Sequence, residues 1–347
     1  MNDVIRVAIL GCGAITKTRH LPAVLAHRGV RLEALVDVDP KRAQILAESH
    51  GLKCRIVSDY RLLLGAVDAF IVALPNSLHA SVTLDALGSG LHVLSEKPLA
   101  IRPEEARSCA ALAAQKNLVL AVGMNRRFQP ASELFRMVLE EGRLGELRDY
   151  SGQYGGPYDW DTASGFYFSK EQAGGGVLLD YGVHILDLLM AWFGPVTRFD
   201  YQDDDWGSGL EANALLELQH SGPYGAVAGW LRLSRTYSLK NSLVVRGSEA
   251  AAEITSADPT SVVLHRTLAG QAIRESLALP GSEQAPSHSF YRQLDNFLAS
   301  IRGLEKPRVD GWQALRVLEL VDDCYARRRR IPEPWAASFE VASEVSA

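Results

Sequence analysis

Two stretches of this chain have residue types and spacing suited to chemistry on a hydroxyl group. Ser95-Glu96-Lys97-Pro98 follows an apolar run, Leu91-His92-Val93-Leu94, that reads as a buried strand. Pro98 has φ pre-set near ~−65° and no N–H, so the strand stops and the Lys97 ammonium is held at its end. In an open parallel sheet, ligands sit beyond the carboxyl ends of strands. The second stretch follows Gly174-Gly175-Gly176. Residues 177–190 are apolar nearly all round, the mark of a buried helix. Yet Asp180, His184 and Asp187 recur at i, i+4 and i+7, on one face. Burying such groups without partners costs on the order of several kcal/mol, so they must meet each other, another polar element or a ligand. Gly182 costs ~1 kcal/mol in a helix interior, so something packs close there. A solvated turn and an inert Asp–His pair would each explain one stretch alone. Three polar groups on one apolar helix favour a site. His184 titrates nearest neutral pH and suits proton transfer. Lys97 can bond the same hydroxyl and stabilise alkoxide character, or itself act as base if desolvated. Asp180 can meet substrate and help hold the site. Asp187, the deepest, reads as structural.

These residues need elements to position them. Residues 4–10 form a short β-branched run that leads into Gly11-Cys12-Gly13-Ala14-Ile15-Thr16. Strand, glycine turn and helix in that order give a G-x-G-x-x-G pattern its weight. Gly11 permits the tight turn, and Gly13 lets backbone approach a pyrophosphate at the helix N-terminus, beside Ala14 and Ile15. Thr16 stands where the third glycine, which serves close helix–strand packing, would be; this weakens the motif without removing the phosphate contact. The next strand, 32–36, ends in Asp37, placed to bond a ribose and repel a 2′-phosphate. Lys41 and Arg42 lie near enough to soften that preference, so NAD is expected and NADP is possible. Asp39 and Pro40 are set to cap and start a helix over 40–49. Further strands at 69–74, 91–94 and 119–122 alternate with helices at 79–89 and 103–115. Such alternation implies a doubly wound parallel sheet with right-handed crossovers. Leu74, Asn76, Glu96 and Lys97 then share the cofactor side, where Asn76 could bond the nicotinamide ribose or amide. His79 starts the following helix.

After Gly123 the pattern changes. A helix over 131–141 is followed by strand-like stretches at 146–154, 196–204, 211–219, 224–235, 241–246 and 260–266. Strands without intervening helices suggest a largely antiparallel open sheet. Apolar residues at both parities of 211–219 and 224–233 suggest that both faces are covered, one of them by another subunit. Residues 155–173, rich in Gly, Tyr, Trp and Asp, read as a loop over a polar ligand. Helices over 287–300 and 311–330 close the chain. The expected division is 1–123 for dinucleotide binding, 124–330 for substrate and oligomerisation, and 331–347 as a tail.

Composition narrows the partners. At 347 residues two domains is the default at ~150 per domain. A net charge of −5 argues against nucleic acid or an anionic membrane surface. Cys12, Cys54, Cys109 and Cys324 are scattered, without metal-ligand spacing, and read as reduced cytoplasmic thiols. No signal-peptide pattern opens the chain, and no apolar run approaches the ~18 residues of a membrane span.

Together these motifs resemble the glucose–fructose oxidoreductase / inositol dehydrogenase / MocA family. The resemblance rests on the glycine turn at Gly11, Leu74-Pro75-Asn76 with His79, residues 92–100 around Glu96-Lys97-Pro98, Arg126-Arg127-Phe128-Gln129-Pro130, and residues 174–187. It implies an α/β fold: an N-terminal Rossmann domain and a C-terminal α+β domain whose open sheet often forms a dimer interface. It implies metal-free hydride transfer between a nicotinamide cofactor and a sugar, nucleotide-sugar or cyclitol, in a homodimer or homotetramer. Lys97, Asp180 and His184 match the family's reacting residues, and Arg127 a position that often approaches substrate. Some relatives use NAD transiently to hydrolyse a glycosidic bond, and others are non-catalytic NAD-sensing regulators. Retention of both Lys97 and His184 speaks against the regulator.

Overall fold

The computed structural model describes residues 4–158, 165–205, 207–280 and 288–331. Short aliphatic runs, buried on both faces, make the first sheet. Its strands are β1 (Ile5–Leu10), β2 (Val30–Val36), β3 (Arg55–Val57), β4 (Ala69–Val72), β5 (His92–Ser95) and β6 (Leu120–Val122). Helices α1 (Leu21–Ala26), α2 (Pro40–Ser49), α3 (Asn76–Gly88) and α4 (Pro103–Lys116) connect them. The strand order is β3-β2-β1-β4-β5-β6, with every pair parallel. The order reverses between β1 and β4, so the crevice beyond their carboxyl ends is the ligand-binding edge. The Asp39 carboxylate accepts from Lys41 N and Pro40 opens α2, as the sequence suggests. The three-residue β3 is too short to carry a readable alternation and was not expected.

Helix α5 (Pro130–Glu140) leads to β7 (Leu147–Gly155), then to α6 (Lys170–Ala173) and α7 (Val183–Phe193). Strands β8 (Val196–Asp203), β9 (Asn213–Gly222), β10 (Gly225–Ser234), β11 (Ser242–Gly247), β12 (Ala251–Thr255), β13 (Ser261–Leu268) and β14 (Gln271–Ala278) follow. The chain ends with α8 (His288–Ile301), α9 (Gly311–Ala326) and a two-residue strand, β15 (Arg329–Arg330). The second sheet runs β14-β13-β12-β11-β7-β10-β9-β8-β15. It is antiparallel except where β7 meets β10 and β8 meets β15. Strands β12 and β14 escape the sequence reading. The side chains of β14 are mostly exposed, as on an edge strand, so no buried face marks it.

Within one chain, one face of this sheet is buried and the other is exposed. Ala214, Leu216, Leu218, Val227, Leu231 and Leu233 are buried on the inner face, while Glu217, Gln219 and Ala228 are exposed on the outer one. The outer face forms a groove of about 640 Å³, lined among others by Asp149, Gln202, Glu217, Trp230, Arg232 and Arg246.

The closing helices return to the first sheet. Phe290, Leu294, Phe297 and Leu298 of α8 pack with Ile5, Val7, Ile9, Leu21 and Leu35 in one apolar cluster. The segment 124–330 is therefore not a single packing unit, because the apolar face of α8 is needed to cover β1 and α1. Helix α9, opened by a capping box of Asp310 and Gln313, packs on both α4 and α7. Val122 N donates to Val309 O at 3.0 Å beside it. Of the expected tail, only Ile331 lies within the described residues. Residues 159–164 of the expected loop lie outside them.

One helical stretch, Lys170–Phe193, is long and apolar enough to cross a membrane by composition. Its most apolar window is 72% buried inside the fold, which makes it a core helix. Asp180, His184 and Asp187 interrupt its apolar run, so the sequence does not present it as a span.

Phe297 is fully buried where α8 meets the first sheet. Phe297→Ala should lower the unfolding free energy by about 3–5 kcal/mol. Urea denaturation checks this, and a loss below ~1 kcal/mol would mean that α8 is not part of the first core.

Candidate active site

The glycine turn begins with Gly11 at φ +92°, a conformation L side chains rarely adopt. A Cβ there would stand 2.1 Å from Ala73 O. Gly13 is different, since a Cβ on it meets nothing within 4 Å. That side of the turn is open for a ligand. Thr16, in the place of the missing third glycine, is fully buried, and its hydroxyl donates to Gly11 O at 2.6 Å. The turn and its helix are tied together by this bond. A π-helical turn, Thr16–His20, joins this point to α1. Ala14 O accepts from the Thr18 hydroxyl, and Ile15 packs with the first sheet's core. Asp37 Oδ2 accepts from Cys12 N at 2.9 Å and Oδ1 from Asp39 N at 3.0 Å. Its carboxylate is fixed beside the glycine turn. The open turn at Gly13 and this carboxylate fit the pyrophosphate and ribose of a dinucleotide.

Lys97 lies two residues past the end of β5, and its bond to Pro98 is cis. Lys97 Nζ donates to Asp180 Oδ1 at 2.8 Å and to Asp180 O at 2.7 Å. Asp180 lies on a π-helical turn, Leu178–Gly182, that runs into α7. Such turns often occur at functional sites, and this one departs from the regular helix expected there. Gly182 admits close packing, since a Cβ there would stand 2.7 Å from Leu233 Cδ1.

The sequence reading missed Arg235, one residue past β10. Its Nη2 donates to Asp180 Oδ2 at 2.6 Å. Burial works against the Asp180 charge, yet Lys97 and Arg235 outweigh it and hold the carboxyl well below its usual range. Arg235 also lies 5.2 Å from the Tyr158 ring and 5.9 Å from the Tyr167 ring. Tyr158 OH is buried without a hydrogen-bond partner among the described residues, close enough to Asp180, Arg235 and Lys97 to feel their charges. Only the richness of 155–173 in Gly and aromatics hinted at this wall.

His184 shares the site but not as a group poised near neutrality. Burial, with the charges of Lys97 and Arg126, pushes its imidazole well below the usual value, against a smaller pull from Asp180. It is neutral, and its Nδ1 is buried without a partner among the described residues. Arg126 stands 4.6 Å from the Tyr181 ring and 5.7 Å from the Tyr154 ring.

Arg127, expected to approach substrate, is committed elsewhere. Its Nε and Nη2 each donate at 2.6 Å to the buried Asp187 carboxylate. This forked pair locks α7 to the segment after β6, and Asp187 is structural as read. Asn76 is likewise engaged, its Nδ2 donating to Ala173 O at 2.8 Å. His79 places its two ring nitrogens 2.7 Å from Pro98 O and from Leu74 O. It fastens the two strand-end loops to each other and reaches the cofactor edge only through them. Glu96 turns inward, with Oε1 2.7 Å from His20 Nε2. Its partners outweigh burial and keep its carboxyl below the usual range. Among the described residues, no three of His, Cys, Asp or Glu cluster as a metal site would.

Residues 5–124 match the model described as the oxidoreductase family, NAD-binding Rossmann fold, and residues 133–253 the GFO/IDH/MocA C-terminal domain. The chain is 34% identical over 194 residues to D-glucoside 3-dehydrogenase of Escherichia coli (strain K12), covering 54% of each chain. It thus spans about half the length of that relative. It is 25% identical over 343 residues to inositol 2-dehydrogenase of Rhizobium meliloti (strain 1021), covering 92% of this chain and 95% of that one. In fold it is similar to levoglucosan dehydrogenase in complex with NADH, at TM-score 0.83 and 20% identity over 93% of this chain and 96% of that one.

The depressed His184 imidazole sets a pH dependence of stability. The unfolded chain takes up a proton near 6.5 that the folded chain refuses. Stability present above 6.5 is therefore lost as pH falls below it, by up to about 1.4 kcal/mol per pH unit. Urea unfolding of His184→Asn should show a smaller loss between about pH 7.5 and 5.5 than the parent, by roughly 1 kcal/mol. Identical profiles would mean that His184 titrates freely in the fold.

Proposed function

Because the chain belongs to the GFO/IDH/MocA family of oxidoreductases, with its NAD-binding Rossmann fold, we propose that it is an NAD-dependent dehydrogenase or ketoreductase. Its substrate is a ring hydroxyl or ketone of a sugar, nucleotide sugar or cyclitol. One observation carries this reading. Two buried polar atoms that have no hydrogen-bond partner among the described residues, His184 Nδ1 and Tyr158 OH, flank the Lys97–Asp180–Arg235 cluster. Buried polar groups are normally satisfied, so a hydroxyl-bearing ligand suits this place.

Gly11, Gly13 and Asp37 hold the cofactor, which when bound supplies the hydride acceptor. The fixed Asp37 carboxylate favours NAD over NADP by repelling a 2′-phosphate. An ammonium has three donors, and two from Lys97 go to Asp180. The third is free for the substrate oxygen, where it stabilises alkoxide character. His184, neutral in the site, takes the hydroxyl proton. As the carbinol carbon gives up its hydride, its O–H becomes strongly acidic, so a weak base suffices. In ketone reduction the same groups return the proton. Asp180, held ionised by two cations, fixes Lys97 and Arg235 and moves no proton itself.

The outer face of the second sheet, with Trp230 and Leu215 in its groove, is the surface we assign to a homodimer or homotetramer. Light scattering at micromolar concentration should show an oligomer, and a monomer would overturn that assignment. We also place the protein in a reducing cytoplasm, which its four free cysteines suit.

Free sugars, inositols and nucleotide sugars, offered with NAD and with NADP, should give net NADH from at least one. Sugar release without net NADH would favour the NAD-using glycosidase. On a turned-over substrate, Lys97→Ala and His184→Ala should each lower kcat by about 10²–10⁴ with NAD affinity nearly unchanged. Near-normal turnover in both folded variants would refute the site.

A further inference from the structure

Glu211 lies two residues before β9 and takes no part in the proposed chemistry, yet its side chain is buried deep in the protein. Its Oε2 accepts from Gly176 N at 3.0 Å and its Oε1 from Leu178 N at 2.9 Å. The Tyr325 hydroxyl of α9 also donates to Oε1, at 2.9 Å. The residue's own carbonyl accepts from Val177 N at 2.9 Å. One residue therefore satisfies three successive amides, 176, 177 and 178, where a helix start leaves N–H groups free. A Cβ on Gly176 would stand 2.0 Å from Glu211 O, so only glycine allows this approach.

The turn held in this way is the one that carries Asp180. Asp180 N donates to Gly176 O at 3.0 Å. Both the carbonyl and the carboxylate of Asp180 hold Lys97 Nζ. Any rotation of the first turn shifts the ammonium along with the carboxylate, and carries His184 with the helix.

We propose that Glu211 is a positioning residue for the Lys97–Asp180–His184 site, with Tyr325 fixing its carboxylate from α9. This rests on the reading of that site as the active centre. Glu211→Gln is a strict test, because an amide has one acceptor oxygen. Its NH₂ would face Gly176 N–H or the donors at Oε1. Tyr325→Phe removes one donated bond and leaves the amides capped.

Both variants are made in the full chain and compared with the parent in three ways. NADH affinity is read by fluorescence. Hydride transfer is read with myo-inositol and methyl D-glucoside, per NADH-binding site. Backbone amide exchange is followed at 176–184. Misplacing reacting groups by about 1 Å costs up to ~10²-fold, so kcat should fall about tenfold to a hundredfold in Glu211→Gln and less in Tyr325→Phe. The KM for NAD and the NADH affinity should stay within about twofold, since the glycine turn is untouched. Exchange should quicken at 176–184 and not in the first sheet. A residue serving stability alone would lower the melting temperature and leave kcat per binding site unchanged. That result, in whichever variants fold, overturns the proposal. If the parent turns over neither probe, these two are not its substrates, and exchange decides this proposal. Unchanged protection at 176–184 in the folded variants overturns it.

Discussion

The 2.8 Å ion pair between Lys97 Nζ and Asp180 Oδ1 joins the two halves of the chain at the proposed active site. Lys97 comes from the end of a parallel strand, and Asp180 from a helix in the second half. Both side chains are largely buried, where an unpaired charge would be costly and a paired one is held firmly. Arg235 on the other carboxylate oxygen completes a cluster of two cations and one anion. Burial first, and then the charges of Lys97 and Arg126, keep the neighbouring His184 neutral. The cluster thus sets an ammonium and a neutral imidazole side by side, the donor and proton acceptor of the proposed reaction.

Much of the remaining structure keeps this pair in register. The cis Lys97–Pro98 segment is fastened to the Leu74 loop by His79. Helix α7 is clamped at one end by Glu211 and further along by the Arg127–Asp187 fork. Helix α9 touches both α4 and α7, and α8 closes the back of the first sheet. The returning helices make the two sheets one mechanical body around the cleft, which a reading of the chain as two successive domains would not suggest.

Legibility in the sequence follows physical range. The Rossmann half is readable because buried parallel strands are continuous apolar runs and the helix starts carry local signals such as Asp39-Pro40. The pairing of Asp180 with Lys97 is foreshadowed by polar residues on an apolar helix, since burial forces a partner on them. What is hidden depends on distant contacts. Arg235 is one arginine among many until the end of β10 brings it to Asp180. Arg127 has the composition of a substrate ligand, and only the fold shows its fork on Asp187. Thr16 departs from a glycine pattern, yet its hydroxyl finds Gly11 O. The depressed state of His184 depends on burial and two cations that its own helix does not contain.

The central claim is that Lys97 and Asp180 act as one unit in hydride transfer. A double-mutant cycle with Lys97→Met and Asp180→Asn, read as kcat/KM on a turned-over substrate, tests it most directly. If each residue works through the other, the double variant should be no worse than the poorer single variant, within about threefold. If the two losses multiply, the residues act independently, and the pair is not what organises the site.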